Sequence, residues 1–276
     1  MKTKTAFAVL LIVLTACFPL PVYAERSVSV SAESAVLITP DGGIIYEKNA
    51  RKRRGMASTT KIMTALVAIE NLSLDDIIAF PAEARSEGSS AYFEEGENVT
   101  VRDLLYALML RSANDAAECL AIAAAGSIGG FADMMNERAE KIGLSDTHFV
   151  NPHGLDAEGH YSTALDMARL TAEALKNDAF REIVSTKGYV CRSLSGGYDR
   201  TFRNHNRLLG RDGIFGVKTG YTSACGRCLV TACERGGKTL IAVTLSAPDD
   251  WNDHLELYDH GFGRKDEDTE ISVGVR

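Results

Sequence analysis

The chain has 276 residues and a formal net charge of −7, with 45% hydrophobic and 24% charged residues. This composition is typical of a folded globular protein and excludes a disordered or collagen-like chain. Because a net negative charge provides no basic field for nucleic acid or an anionic membrane, we expect no nucleic-acid partner.

The first 24 residues have the pattern of a secretory signal peptide. Two lysines precede an apolar run over 6–14, and the small residue Ala24 ends a cleavage region. The run is too short for a transmembrane helix. A second interpretation stays open, because 14–17 resembles a bacterial lipobox that would leave a lipidated Cys17. Both interpretations predict an exported, extracytoplasmic protein, associated with a membrane only if Cys17 carries a lipid.

Residues 25–263 are predicted to form one α+β domain. Two β-rich runs flank a Pro-Asp-Gly-Gly turn and predict an early hairpin. The chain is then predicted to be mostly helical from Ser58 to about Asn177, and strands return late. We expect the N- and C-terminal strands to share one antiparallel sheet, flanked by helices and with a mostly helical subdomain inserted. The predicted strands are 35–39, 44–47, 216–220, 228–233 and 239–246, and the later predicted helices are 101–110, 116–125, 131–142, 163–177 and 251–258. Residues 264–276 are expected to be an acidic tail without an apolar face.

The cysteines do not form an evident disulfide framework, because five of them, an odd number, follow the signal peptide. The Cys-x-x-Cys spacing of Cys225 and Cys228 suggests a redox or zinc site. We favour buried thiols instead, because 228–233 resembles a strand, on which Cys228 and Cys233 point to opposite faces. No metal is predicted.

Three short motifs occur in order along the chain. They are Ser58-Thr59-Thr60-Lys61, Ser112-Ala113-Asn114 and Lys218-Thr219-Gly220. Each alone has an ordinary structural interpretation, as a helix N-cap, a local turn or a surface charge on a strand. It is improbable that all three motifs have only these structural roles, because of their order and placement. The first falls at the head of an apolar helix, the second after another helix and the third on a late strand.

The first motif pairs a nucleophile with a base. Residues i and i+3 share a helix face, so the Lys61 amine can reach the Ser58 hydroxyl. A serine hydroxyl needs a base to take its proton, and lysine can be that base only when it is largely neutral. Burial and a second nearby cation, Lys218, would both lower the pKa of Lys61. The N–H groups at the helix N-terminus would stabilise an oxyanion.

The other two motifs supply groups suited to a peptide substrate. Ser112 can relay a proton between Lys61, the nucleophile and a leaving amine. Asn114 can fix a substrate amide. Lys218 and Thr219 can hold a carboxylate, and Gly220 lets an extended substrate lie beside an edge strand.

With these motifs, the chain resembles the serine-type D-alanyl-D-alanine carboxypeptidases, the low-molecular-mass penicillin-binding proteins of peptidase family S11. The resemblance covers about residues 30–262. It rests on six segments, which are 57–64, 112–117, 151–155, 159–164, 204–209 and 218–222.

The resemblance implies a β-lactamase/transpeptidase-like fold, with 25–263 as the catalytic domain. It implies that Ser58 attacks the penultimate D-Ala carbonyl of a peptidoglycan stem peptide, releases D-Ala and forms an acyl-enzyme that water resolves. The backbone N–H groups of Ser58 and Tyr221 would form the oxyanion hole. β-Lactam antibiotics would act as slow substrate mimics and inhibitors, and no cofactor or metal is implied. Residues 224–226 depart from the family pattern, so the loop beside the site is expected to bind substrate differently.

Two alternatives remain open at this stage. A class A β-lactamase shares two of the motifs but needs a glutamate for deacylation. Glu173 and Asn177 have the required spacing, yet they fall in a predicted helix, where a surface glutamate is the ordinary interpretation. The other alternative is a non-catalytic penicillin-binding sensor of the cell wall.

His153 and His160 lie in loop segments and are expected to stabilise those loops.

Overall fold

The computed structural model describes residues 28–263, so the predicted signal peptide, Cys17 and the predicted acidic tail lie outside the described residues. The strands are β1 (Ser34–Ile38), β2 (Ile44–Lys48), β3 (Ile77–Ala79), β4 (Asn98–Thr100), β5 (Gly188–Cys191), β6 (Arg200–Arg203), β7 (Ile214–Thr222), β8 (Gly226–Arg235) and β9 (Lys238–Leu245). The helices are α1 (Lys61–Asn71), α2 (Val101–Tyr106), α3 (Asn114–Ala125), α4 (Ile128–Ile142), α5 (Ala164–Ala174), α6 (Asp178–Ser185) and α7 (Asp250–Phe262).

The central feature is a five-stranded antiparallel sheet in the order β2-β1-β9-β8-β7. The early hairpin therefore joins the late strands through the pairing of β1 with β9, which confirms the predicted α+β architecture. Strand β7 forms one edge of this sheet. The third motif lies on β7, so its backbone is at the edge where an extended peptide can bind.

Helices cover both faces of the sheet. Every residue of β1 is buried, and its side chains alternate between two apolar clusters. Val36 and Ile38 face the larger cluster, which includes the helices inserted between β2 and β7. Leu37 faces the smaller cluster beneath α7. Within residues 28–263, no single helix is long and apolar enough to cross a membrane, although the bent pair α3 and α4 passes that test jointly.

The five cysteines among residues 28–263 are free and buried, as predicted. Cys228 belongs to the larger apolar cluster and Cys233 to the smaller one, so the two side chains lie on opposite faces of β8. The Cys225 thiol lies 3.0 Å from Asp156 Oδ1, and burial is the main cause that raises its pKa. These thiols are therefore protonated packing groups at neutral pH.

The prediction of a mostly helical segment over 58–177 is wrong for 72–100. This stretch contains the β3–β4 hairpin and irregular loops. The hairpin β5–β6 and helix α6 were also missed. Strands of three or four residues are too short to show a period of two in the sequence, and α6 has only eight residues.

Two predicted helix starts were too late. Helix α4 begins at Ile128 rather than 131, because the Ser127 hydroxyl accepts a hydrogen bond from Gly130 N at 3.0 Å and caps the helix. Helix α3 begins at Asn114, two residues after a left-handed residue, Ser112, which closes a π-helical turn over Ala107–Arg111.

Candidate active site

Ser58 lies in a 3-10 turn (Ala57–Thr60) that leads into α1. The turn begins at Ala57, whose φ of 47° lies in the left-handed region that non-glycine residues rarely adopt. Two hydroxyl groups close the turn, because Thr59 Oγ1 donates to Met56 O at 2.6 Å and Thr60 Oγ1 donates to Ala57 O at 2.8 Å. The hydroxyl groups of Thr59 and Thr60 are therefore engaged within the turn, whereas Ser58 lines the cavity described below.

Lys61 is fully buried and its Nζ atom has three oxygen neighbours. Nζ lies 3.1 Å from Ser58 Oγ, 2.8 Å from Asn114 Oδ1 and 2.5 Å from the backbone oxygen of His153. Burial lowers the pKa of Lys61 well below its usual value, and repulsion from Lys218 lowers it further. Both causes are those that the sequence predicts.

Lys218 lies on β7 and is almost completely buried. Its Nζ atom donates to Thr219 O at 2.8 Å, and burial lowers its pKa to about 7. Lys218 does not line the cavity, whereas its neighbour Thr219 does. Carboxylate binding by Lys218 therefore stays a prediction, while its electrostatic effect on Lys61 follows directly from their proximity.

Gly220 brings the edge strand close to the turn that carries Ser58. A Cβ atom at Gly220 would lie only 3.0 Å from Ser58 N and 3.1 Å from Thr59 N. The absence of a side chain therefore allows β7 to pack against the backbone of the turn. This contact gives the glycine a role within the protein, in addition to the predicted approach of a substrate.

The second motif contributes one cavity residue and one support for Lys61. Ser112 has a φ of 62°, lies at the end of the π-helical turn and lines the cavity. Asn114 accepts from Lys61 through Oδ1 and donates to Glu87 O through Nδ2 at 2.6 Å. Because both polar atoms of Asn114 already have protein partners, this residue positions Lys61, and its contact with a substrate stays a prediction.

The loop over 151–155 helps to hold Lys61 in position. Asn151 Oδ1 accepts from Gly154 N at 2.7 Å and Asn151 Nδ2 donates to Leu155 O at 2.9 Å, which fixes the loop. The loop then presents His153 O to Lys61. Burial lowers the pKa of His153 to about 3, so its ring is neutral. The predicted stabilising role of this loop thus includes a contact with the lysine that no side-chain pattern reveals.

His160 is a second neutral histidine beside the turn, since burial lowers its pKa to about 4. Its Nδ1 accepts from Val150 N at 3.0 Å, which assigns the proton to Nε2. Nε2 lies 2.9 Å from Thr60 Oγ1, whose own proton goes to Ala57 O, so Nε2 is the donor. His160 therefore braces the turn that carries Ser58.

Gly154→Ala should disturb this arrangement strongly. Gly154 has a φ of 89°, and a Cβ atom there would lie 2.0 Å from Ala57 O. We expect the substitution to lower the free energy of unfolding by more than about 2 kcal/mol, because backbone strain and a clash combine. Gly159→Ala is the matched control, because Gly159 has a φ of 80° but its nearest atoms would lie 3.7 Å away. Urea unfolding of both variants measures the difference, and equal losses would contradict the clash.

The site opens into a cavity of about 460 Å³ at the edge of β7. Five of the predicted site residues line it, namely Ser58, Ser112, Thr219, Gly220 and Tyr221. Sequence reasoning did not single out the other six lining residues, namely Ser89, His205, Arg207, Arg227, Asp250 and Trp251. His205 and Arg207 fall in a segment already noted for the family resemblance, whereas Arg227, Asp250 and Trp251 had no such signal.

The glutamate that a class A β-lactamase would need is engaged elsewhere. Glu173 lies on α5 and pairs with Arg138 at 2.8 Å and Lys176 at 2.7 Å. It does not line the cavity, in agreement with the interpretation as a surface glutamate. Among residues 28–263, no group of three or more His, Cys, Asp and Glu side chains has an arrangement that can hold a metal ion.

A serine paired with a buried lysine, at the head of a helix and beside the edge strand of an antiparallel sheet, is the arrangement typical of proteins of the β-lactamase/transpeptidase-like class. A family model described as D-alanyl-D-alanine carboxypeptidase (peptidase family S11) matches residues 22–249. The chain therefore belongs to this family.

Curated relatives and solved structures agree with this membership. The D-alanyl-D-alanine carboxypeptidase DacF of Bacillus subtilis is 39% identical over 78% of this chain and 57% of its own length. The D-alanyl-D-alanine carboxypeptidase of Streptomyces sp. strain K15 is 38% identical over 80% of this chain and 83% of its own length. The crystal structure of the Streptomyces K15 DD-transpeptidase superposes with a TM-score of 0.80 at 36% identity, covering 85% of this chain and 98% of the other.

Proposed function

We propose that this protein is a serine-type D-alanyl-D-alanine carboxypeptidase. It would remove the terminal D-Ala from peptidoglycan stem peptides through an acyl-enzyme on Ser58, and penicillins would acylate the same residue. The names of the relatives support the reaction class, and the surroundings of the Lys61 amine support the assignment of nucleophile and base.

The three neighbours of Lys61 Nζ carry this assignment. Two of them, Asn114 Oδ1 and His153 O, can only accept hydrogen bonds. A neutral amine has two protons and one lone pair, so it donates both protons to these acceptors. The lone pair then remains for the third neighbour, the Ser58 hydroxyl at 3.1 Å. This arrangement makes Lys61 a proton acceptor for Ser58 whenever the amine is neutral.

The proposed acylation step uses these contacts. Ser58 Oγ forms a bond to the carbonyl carbon of the penultimate D-Ala, and its proton passes to Lys61 Nζ. The bond to the terminal D-Ala nitrogen breaks, and that nitrogen takes the proton held by Lys61 Nζ, with Ser112 as the proposed relay at the cavity wall. Water next attacks the ester: its oxygen bonds to the acyl carbon, one of its protons passes through Lys61 to Ser58 Oγ, and the shortened peptide leaves as an acid. The backbone N–H groups of Ser58 and Tyr221 are the proposed oxyanion hole.

We also propose that the protein acts outside the cytoplasm, where peptidoglycan is located. The lysine-led apolar run in the first 24 residues supports export. The lipobox-like residues before Cys17 support the alternative of a lipid-anchored form. The mass of the mature N-terminus after expression in a bacterial host distinguishes the two.

The test of the proposed function combines two measurements on the wild-type protein. Intact mass spectrometry after addition of benzylpenicillin should show a persistent adduct of one penicillin per chain, and a peptide ending in D-Ala-D-Ala should release D-Ala. An adduct that disappears while penicillin is consumed would indicate a β-lactamase. A folded protein that forms no adduct and releases no D-Ala would indicate a non-catalytic binding protein.

A further inference from the structure

A second cavity, of about 290 Å³, lies between the turn that precedes β4 and the loop that joins β5 to β6. The turn contributes residues 94–97, and the loop with the start of β6 contributes Ser193, Ser195, Gly197, Tyr198 and Arg200. Among residues 28–263, no residue lines both this cavity and the one beside Ser58. Its volume is close to the lower end of the range for cavities that bind small ligands.

The charged groups of the second cavity are largely paired. Arg200 donates to both carboxylate oxygens of Glu97, at 2.5 Å and 2.8 Å. Glu95 pairs with Arg85 at 3.3 Å. In the part of the chain that the structure describes, Glu94 is therefore the one carboxylate of this lining without an ionic partner. This near balance of charge favours a polar, uncharged ligand over a cation.

Three polar groups of the lining keep hydrogen-bonding capacity for a ligand. Ser193 Oγ accepts from Gly197 N at 2.8 Å, and Ser195 Oγ accepts from Asn98 N at 3.1 Å, so both hydroxyl oxygens are fixed in place. Within residues 28–263, neither hydroxyl donates its proton to a protein acceptor, and the Glu94 carboxylate accepts no hydrogen bond. The cavity thus offers two donors and one acceptor.

Tyr198 places an aromatic ring beside these polar groups. The residue is 92% exposed, although it lines the cavity. The face of an aromatic ring carries partial negative charge, so it attracts the partially positive C–H groups on the face of a sugar ring. The hydroxyl and acetamide groups of an N-acetylated sugar need both donors and acceptors, which the serines and the glutamate supply. This combination of groups is therefore suited to an N-acetylated sugar.

A short segment that is held on both sides connects the second cavity to the active site. Ser89 lines the active-site cavity and Glu94 lines the second one, so their Cα atoms, five positions apart, are separated by at most about 18 Å. Between them, the N–H groups of residues 91–92 donate to Asp115 at 3.0 Å, and their carbonyl oxygens accept from Arg200 at 3.1 Å and 2.8 Å. An extended peptide of five residues spans about 17 Å, which is a similar length.

We propose that the second cavity binds an N-acetylated sugar of the glycan strand that carries the stem peptide. The sugar ring stacks on Tyr198, and its polar groups bond to Ser193, Ser195 and Glu94. This inference rests on the proposed function, because it places the D-Ala end of the stem peptide at Ser58 and the sugar at the other end. The site makes a stem peptide that is linked to its glycan a better substrate than the free peptide.

The test compares two substrates of the purified protein. One is a peptide ending in D-Ala-D-Ala, and the other is the same peptide linked to an N-acetylglucosaminyl-N-acetylmuramyl disaccharide. We expect the KM of the wild type to be about 2- to 10-fold lower for the linked peptide, which is the size of one ring-stacking contact. Tyr198→Ala should raise this KM to that of the free peptide, with kcat and the kinetics of the free peptide unchanged.

Leu194→Ala is the matched control, because Leu194 lies in the same loop, is half exposed and does not line the cavity. Its kinetics on both substrates should equal those of the wild type. Equal KM values of the wild type for the two substrates overturn the proposal, as does an equal change in Leu194→Ala and Tyr198→Ala.

A titration with a sugar alone separates this proposal from the proposed function. By nuclear magnetic resonance, N,N′-diacetylchitobiose should bind to the wild type and to Leu194→Ala but not to Tyr198→Ala. Equal binding to Tyr198→Ala overturns the sugar site, and tighter binding of the deacetylated, cationic disaccharide does so as well. A wild-type protein that binds the sugar through Tyr198, yet releases no D-Ala and forms no penicillin adduct, supports the sugar site and overturns the proposed function.

Discussion

Ser58→Ala is expected to form no covalent adduct with benzylpenicillin and to lose D-Ala release by a factor on the order of 10⁴ or more. The reason is that the bond to the substrate carbonyl needs a hydroxyl oxygen, and this oxygen is the one placed 3.1 Å from the buried amine. Intact mass spectrometry and a D-Ala release assay measure the two losses. We expect the fold to be retained, because no hydrogen bond besides that to Lys61 involves the Ser58 side chain within residues 28–263.

The cavity offers a matched control for this experiment. Ser89 and Ser112 also line it, and either hydroxyl could in principle accept an acyl group. In the part of the chain that the structure describes, Ser89 has no amine of a lysine within hydrogen-bond distance, so Ser89→Ala should keep the adduct. An adduct on Ser58→Ala that maps by peptide mass to another serine would show that Ser58 is not the nucleophile.

The relation between Ser58 and Lys61 could be predicted because it is local. Residues three apart at the head of a helix lie on one face whatever the rest of the chain does, and the observed contact follows from that spacing alone. The effect of Lys218 on the Lys61 pKa was also predictable once the motifs were assigned to one site. The contact between Lys61 and the backbone oxygen of His153 was not predictable, because a carbonyl group has no signature in a sequence.

The fold and the cavity likewise contain local features, which the sequence predicts, and tertiary contacts, which it does not. The long apolar strands β8 and β9 were predictable from composition, whereas the hairpins β3–β4 and β5–β6 depend on contacts with distant loops. The position of Arg227 depends on the register in which it pairs with Tyr221. Asp250 joins it only because α7 packs on the sheet. Such pairings are tertiary, so the contribution of Arg227 and Asp250 to the cavity could not be predicted from the motifs.

Lys61→Met is expected to reduce the rate of acylation by a factor on the order of 10² or more, because it removes the base but keeps a side chain of similar length. The exchange relieves the cost of burying an amine, and it also leaves Asn114 Oδ1 and His153 O without that donor. These effects oppose each other, so we expect a folded variant, which thermal unfolding checks. The acylation rate is measured by mass spectrometry at a fixed penicillin concentration.

The pH dependence distinguishes a base from a merely structural lysine. The amine acts only in its neutral form, so acylation of the wild type should rise with pH as Lys61 loses its proton. Because burial and Lys218 both lower the pKa of Lys61, this rise should occur well below the usual lysine range. In Lys61→Met the remaining rate should lose this rise. A variant that keeps the wild-type profile would exclude Lys61 as the base.

Lys218→Met should shift the pH dependence of acylation. The charge of Lys218 opposes protonation of Lys61, so its removal should raise the pKa of Lys61. The rise in acylation should then move to higher pH, whatever the change in the maximal rate. Lys218 itself has a pKa of about 7, so its charge is largest at and below neutral pH, and the two profiles should differ most there. A profile that moves to lower pH, or does not move, would show that the two buried amines are not coupled in the way that their positions require.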